Sequence, residues 1–178
     1  VRVEDLVSRL TLEEKVKQMS NMVPAIDRLQ VPAFNYQGEA LHGLAETNGG
    51  KLIQATSFPQ SIAMGSTWNP QLMQNVANAI SDEARAFYEI GEMDISFWSP
   101  NINVLRDPRW GRNDEAYSED PYLMSKIAVA FVKGLQGEHP KYLKTIAAPK
   151  HFAANNSEFN RHDCNSEVEE RWLREYYF

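Results

Sequence analysis

The chain has 178 residues, 43% hydrophobic and 24% charged, with nine Gly and nine Pro, a balance that can bury a sizeable core and argues against disorder. A formal charge of −6 at pH 7, with Lys and Arg scattered rather than clustered, leaves no basic field for a phosphate backbone and argues against nucleic acid as a partner. Cys164 is the only cysteine, which rules out an intrachain disulfide and a multi-cysteine zinc site, and no apolar run approaches the ~20 residues that cross a bilayer.

No segment has the order of a signal peptide. The chain opens on Val1 without a Met, and Arg171 to Phe178 read as the middle of an amphipathic helix; both ends are expected to be cuts within a longer protein.

Thr11 followed by Glu14 is a capping box and predicts a helix through about Met19. Val31 to Tyr36 is a short apolar run between Pro32 and Gly38, read as a strand. Asn69-Pro70 is an N-cap with proline at the first helical position; Leu72, Val76, Ala79, Ile80, Ala84 and Phe87 follow at helical spacing as far as Gly91. Met93 to Trp98 reads as a strand closed by Ser99-Pro100. Asp120-Pro121 repeats the N-cap signal for a helix carrying Ile127, Val129, Phe131, Val132 and Leu135, with Gly137 as its stop. Tyr142 to Ala148 is the next strand, ended by Pro149, and Ser166 to Glu169 form a second capping box ahead of a final helix.

From Met93 onward this order, with connections of this length, favours a βαβ unit in a parallel sheet. The expected class is α/β, in one domain or part of one. In such folds ligands bind beyond the carboxyl ends of the strands, where the polar residues of this sequence gather in three loops. The first holds Glu39 and His42. The second runs from Asn101 through Arg106, Asp107, Arg109, Trp110 and Arg112 to Glu115, Glu119 and Asp120. The third begins at Lys150-His151-Phe152 and continues through Asn155 and Asn156 to Asn160, Arg161, His162 and Asp163.

Loops dense in carboxylate, amide, guanidinium and imidazole groups, with Trp98 and Trp110 nearby, suit a neutral polyhydroxylated ligand. Simpler readings stand beside that one. The charges of the second loop also fit a solvated ion-pair network, His151 a satisfied buried histidine, Glu39 the cap of a helix from Ala40, and the two tryptophans packing. His42, His151 and His162 lack the i, i+4 spacing of a zinc pair. No Gly-rich phosphate cradle is present, which disfavours a sugar-phosphate enzyme, and neither a nucleophile elbow nor a cysteine nucleophile pattern is found.

Taken together, the wording and order of these loops resemble the N-terminal barrel domain of family 3 glycoside hydrolases. The resemblance rests on Glu39-Ala40-Leu41-His42-Gly43, on Asp107-Pro108-Arg109-Trp110-Gly111-Arg112 with Glu115 and Tyr117-Ser118-Glu119-Asp120-Pro121, and on Lys150-His151-Phe152. Ser57-Phe58-Pro59 and Thr67-Trp68-Asn69 extend it over essentially the whole chain.

It implies a (β/α)8 TIM-like barrel, of which residues 1–178 are the first half with parallel strands and outer helices, truncated at the C-terminal end. It also implies a retaining glycosidase with an Asp nucleophile on the barrel and an acid/base from a later domain, both beyond Phe178, so that these residues alone are expected to be inactive. Glu39, Arg112, Lys150, His151 and Arg161 match positions that hold sugar hydroxyls on the non-reducing side of the cleaved bond. The implied partners are a β-linked oligosaccharide or glycoside and the remaining domains of the same parent, with no cofactor; the family's habit leans toward a periplasmic or extracellular setting.

Many β-glucosidases of the family have an Asp-Gly-Pro phrase where this chain has Gly38-Glu39-Ala40, a wording similar to the β-xylosidase branch. Lys150-His151-Phe152 continues as Ala153-Ala154-Asn155 and departs from the N-acetylglucosaminidase pattern. The alternative is a non-catalytic carbohydrate-binding relative that keeps the sugar contacts alone.

Overall fold

The computed structural model describes residues 2–45 and 52–178. The chain begins with two short helices, α1 (Arg2–Arg9) and α2 (Leu12–Lys17). The Thr11 capping box forms on both sides: the Glu14 amide donates to Thr11 Oγ1 at 3.2 Å and the Thr11 amide to Glu14 Oε2 at 2.8 Å. The same Glu14 carboxylate accepts from Arg28, whose Nη2 also donates to the Arg9 carbonyl at 2.8 Å. α1 has no start signal in the sequence and buries none of its residues, so no core periodicity marks it.

Val31 to Tyr36 yields only β2 (Phe34–Asn35), which pairs antiparallel with β1 (Met22–Val23). It therefore belongs to a separate two-stranded ribbon, not to the parallel sheet. After α3 (Ser61–Gly65) comes the longest helix, α4 (Pro70–Glu89), opened by Asn69 Oδ1 accepting the Leu72 amide at 3.0 Å. Its buried stripe is Met73, Val76, Ala77, Ile80, Ser81 and Ala84, which keeps Val76, Ile80 and Ala84 of the expected set, with Phe87 packed beside them, but leaves Leu72 and Ala79 on the exposed side.

β3 (Ser96–Phe97) is followed by α5 (Pro121–Gln136) and then by β4 (Ile146–Ala147). Asp120 caps α5 by accepting the Tyr122 amide at 3.0 Å and the Leu123 amide at 3.4 Å, and the helix stops at Gly137 as its spacing predicts. β3 and β4 pair in parallel, Ser96 opposite Ile146 and Phe97 opposite Ala147, so the expected βαβ unit is present and the class is α/β. The strands are shorter than their apolar runs because ladder pairing covers only two residues of each.

α4 and α5 pack against each other and against this strand pair, burying Met73, Ile80, Phe97, Ile127, Phe131 and Leu135 completely or nearly so. Close approach of the two helices depends on Gly134, where a Cβ would sit 2.4 Å from the Gln74 carbonyl oxygen. Val129 faces away from this core and is exposed. It lines a groove of about 570 Å³ with Val104, Met124, Pro149 and Phe178.

The last helix, α6 (Glu170–Trp172), runs into a π-helical turn at Leu173–Tyr177. It does not start from the Ser166 capping box. The helix opens later, behind Glu169, without a side-chain cap, because the Ser166 hydroxyl is turned to the Ala154 carbonyl at 3.2 Å.

Candidate functional site

Backbone pairing brings the three polar loops together. Beyond β3 and β4 the chains stay side by side: Lys150 N–H donates to the Pro100 carbonyl at 3.0 Å and Ile102 N–H to the Lys150 carbonyl at 2.7 Å. On the other flank Trp98 N–H donates to the Gly38 carbonyl at 2.8 Å. Gly38 must lack a side chain there, since a Cβ would meet the Ser96 carbonyl oxygen at 2.5 Å. The Ala40 amide then donates to the buried Ser99 hydroxyl at 3.2 Å, and Glu39 between them is aimed at the third loop.

Glu39 does not cap a helix. Its Oε2 lies 2.6 Å from Lys150 Nζ, while Oε1 is buried without a hydrogen-bond partner. Burial pushes the Glu39 carboxyl above its ordinary range and outweighs the hydrogen bond and charge of Lys150, with the Glu115 anion acting in the same sense as burial.

Arg112 presents its fork to Glu115, Nε to Oε1 at 2.7 Å and Nη2 to Oε2 at 2.6 Å. Asn101 Nδ2 donates to the same Oε2 at 3.2 Å, and Lys150 Nζ is 4.0 Å from it. Burial raises the Glu115 carboxyl, but Arg112, Asn101 and Lys150 prevail, and its pKa lies below the usual value. Glu115 thus ties Lys150 and Arg112 to one carboxylate, on one face of the fold.

His151 closes the network. Its Nδ1 lies 2.8 Å from Asn103 Oδ1 and its Nε2 lies 3.1 Å from Arg112 Nη1. A guanidinium can only donate, so Nε2 carries the lone pair and Nδ1 the proton. Burial, with the positive charges of Arg112 and Lys150, lowers the imidazole pKa to about 4, which keeps His151 neutral at pH 7. Arg161 joins through Glu158, whose Oε2 accepts its Nη1 at 2.9 Å and whose Oε1 lies 3.8 Å from Arg112 Nη1.

The candidates Glu39, Arg112, Lys150, His151 and Arg161 therefore form one connected cluster, and none of them lines the groove beside α5. Sequence reasoning missed Asn103 and Glu158. Asn103 was legible only as the second amide of Asn101-Ile102-Asn103 directly after a strand, and Glu158 as an acidic residue three positions before Arg161.

Other polar residues of these loops have structural work. His42 Nδ1 bonds the Phe58 carbonyl at 2.9 Å. Asp107 and Arg109 form the solvated loop pair of the simpler reading, with Arg109 at 88% exposure. Trp110 is buried and Trp98 partly exposed. Among the described residues no group of His, Cys, Asp or Glu is arranged to hold a metal ion.

Cationic Arg112, Lys150 and Arg161 are matched by Glu39, Glu115 and Glu158. Such a balance has no excess charge to offer a phosphate. It presents fixed donors and acceptors to a neutral ligand rich in hydroxyls.

Comparison with known proteins agrees with this chemistry. A family model described as the glycosyl hydrolase family 3 N-terminal domain matches residues 3–176. β-D-xylosidase 3 of Arabidopsis thaliana is 47% identical over 161 residues, covering 86% of this chain and 21% of that protein. The exo-1,4-β-xylosidase of Emericella nidulans is 42% identical over 186 residues, covering 99% and 24%. Among solved structures, a family 3 exo-β-xylosidase in complex with a xylobiose aziridine probe superposes with a TM-score of 0.83 at 36% identity, covering 97% of this chain and 23% of that one. β-Glucosidase 3B of Thermotoga neapolitana in complex with glucose superposes with a TM-score of 0.79 at 34% identity, covering 99% and 26%. The chain spans about a quarter of the length of these relatives.

Proposed function

The chain belongs to glycosyl hydrolase family 3, as the match of residues 3–176 to the family's N-terminal domain establishes, and on that footing we propose that it supplies the sugar-holding half of a β-glycosidase site. The parent protein removes β-linked xylose, or glucose as the second choice, from the non-reducing end by a retaining mechanism. Residues 1–178 are the first part of its (β/α)8 barrel, and the nucleophile and acid/base come from residues after Phe178. The parallel β3-α5-β4 unit, with the Gly38 segment hydrogen-bonded along its flank, supports the barrel reading.

The observation that carries the functional reading is the charge-balanced cluster in which Glu39, Arg112, Lys150, His151 and Arg161 interlock. Glu39 accepts from one sugar hydroxyl, while Lys150, Arg112 and Arg161 donate to others, and neutral His151 keeps its orientation through Asn103. Contacts that tighten as the ring flattens toward an oxocarbenium-like state lower the barrier as well as hold the ground state.

Wording similar to the β-xylosidase branch at Glu39, and xylosidase names on the relatives above, favour the pentose. With the full-length protein, kcat/KM for an aryl β-xyloside is expected to exceed that for the aryl β-glucoside, and Glu39→Asp, one methylene shorter, to move the ratio toward the hexose. A glucoside preference in the wild type, or an unmoved ratio in the variant, counts against the pentose assignment. Binding of xylose without turnover of either glycoside would replace the hydrolase reading with a carbohydrate-binding one.

A further inference from the structure

The third loop, from Phe152 to Glu169, contains no regular helix or strand, yet it must hold Arg161 in a defined direction if that guanidinium is to meet a ligand. Asn103 Nδ2 of the second loop donates to the Asn155 carbonyl at 2.7 Å, and Glu158 is the side chain of the third loop that reaches back to the second beside Arg161. Its Oε1 accepts the indole N–H of Trp110 at 3.3 Å, and its Oε2 accepts Arg161 Nη1 at 2.9 Å. Trp110 is buried, at 6% exposure, so its N–H is a stationary donor. A carboxylate pinned through one oxygen offers the other as a stationary acceptor.

Building on the sugar-site reading above, we propose that Glu158 is the positioning residue for Arg161, transmitting the fixed place of the Trp110 indole to a guanidinium on an otherwise irregular loop. The carboxylate uses one N–H of Arg161 and leaves the opposite edge of the guanidinium for a ligand hydroxyl. The 3.8 Å approach of Oε1 to Arg112 Nη1 sets the two guanidinium groups at either end of one carboxylate, so their separation is determined by a single side chain.

Glutamate is required because both of its ends accept. Glu158→Gln keeps the shape but turns one end into an N–H₂ donor, which must face either the Trp110 indole N–H or the Arg161 guanidinium, both of them donors. One link then breaks, and Arg161 loses its fixed direction while the fold is kept.

The test is a double-mutant cycle on the full-length protein, with aryl β-xyloside as substrate and thermal midpoints recorded for each variant. Glu158→Gln is expected to lower kcat/KM at least tenfold in the wild-type background and less than twofold in an Arg161→Ala background, with an unchanged midpoint. A tenfold loss that persists when Arg161 is absent overturns the proposal, and so does wild-type activity of Glu158→Gln. Arg161→Ala with unaltered kcat/KM sinks the sugar-site reading along with it, and is distinguishable from the first outcome on that ground. Trp110→Phe, which removes the indole N–H and keeps an aromatic ring, provides a second arm: a loss of the same sense, again abolished without Arg161, is expected, and an additive one speaks against the relay.

Discussion

Lys150 Nζ lies 2.6 Å from Glu39 Oε2 across 111 positions of sequence, joining the loop after β4 to the segment that flanks β3. Glu39 titrates above the ordinary value of its type because burial outweighs this partner. Removing the cation in Lys150→Met takes away the largest opposing influence, so the Glu39 carboxyl is expected to titrate higher still, as followed by carbon-detected NMR. The folded state binds this proton more tightly than the unfolded chain, so the group's contribution to stability falls as pH rises from the unfolded value of 4.5 through the raised folded one. In Lys150→Met that fall should extend to higher pH. A Glu39 titration unchanged by the variant would mean that the pair does not persist in solution.

His151 has the opposite sign. Its pKa drops from 6.5 to about 4, so between these values the unfolded chain binds more protons than the folded one. Stability is therefore lost as pH falls through that window, with a limiting slope of ~1.4 kcal/mol per pH unit for one proton. His151→Gln should remove this part of the acid sensitivity between about pH 4 and 6.5 while leaving the dependence below it, and denaturant unfolding of both proteins across the range measures the difference. Parallel curves for the two would show that the imidazole is not held neutral by the fold.

Arg112 and Arg109 stand three positions apart and differ in what surrounds them. Arg112 grips Glu115 with a two-pronged fork at 20% side-chain exposure, whereas the pair of Arg109 with Asp107 is open to water. Arg112→Ala is expected to lower kcat/KM of the full-length protein roughly thirtyfold, the equivalent of ~2 kcal/mol for a charged donor in a desolvated site. Arg109→Ala should stay within about twofold, since an ion pair open to water is screened and contributes little. Equal effects of the two variants on the aryl β-xyloside reaction would remove the distinction between site and surface drawn from burial.

At the α4–α5 crossing, Gly134→Ala would put a methyl group 2.4 Å from the Gln74 carbonyl oxygen and 2.7 Å from the Ala77 Cβ. Helix propensity alone favours alanine by ~1 kcal/mol, but separating two packed helices costs about 1–3 kcal/mol. A lowered thermal midpoint is expected. A midpoint raised by the substitution would show that the two helices have slack at this crossing.

Signals confined to a few neighbouring residues could be read without the fold. The Thr11 capping box and the Asn69-Pro70 and Asp120-Pro121 starts depend on one side chain reaching an amide two or three residues ahead, so the α/β order and two principal helices were legible. The Ser166 box failed because its hydroxyl had a better partner at Ala154, twelve positions away and invisible to a local rule. On α4 periodicity finds Val76, Ile80 and Ala84, which are buried, and Phe87, which packs against the core, but the placing of α5 decides that Met73 and Ala77 are covered and Leu72 and Ala79 are not.

The candidate site divides in the same way. Residue types and motif wording named Glu39, Arg112, Lys150, His151 and Arg161, but only the parallel pairing beyond β3 and β4, with the Trp98–Gly38 backbone bond on the other flank, brought their loops within bonding distance. Asn103 and Glu158 belong to no distinctive phrase; their importance arises from being the acceptors at which His151, Arg161 and Trp110 end. An orienting residue is defined by the atoms on both sides of it, and those come from separate loops that meet only in the folded chain.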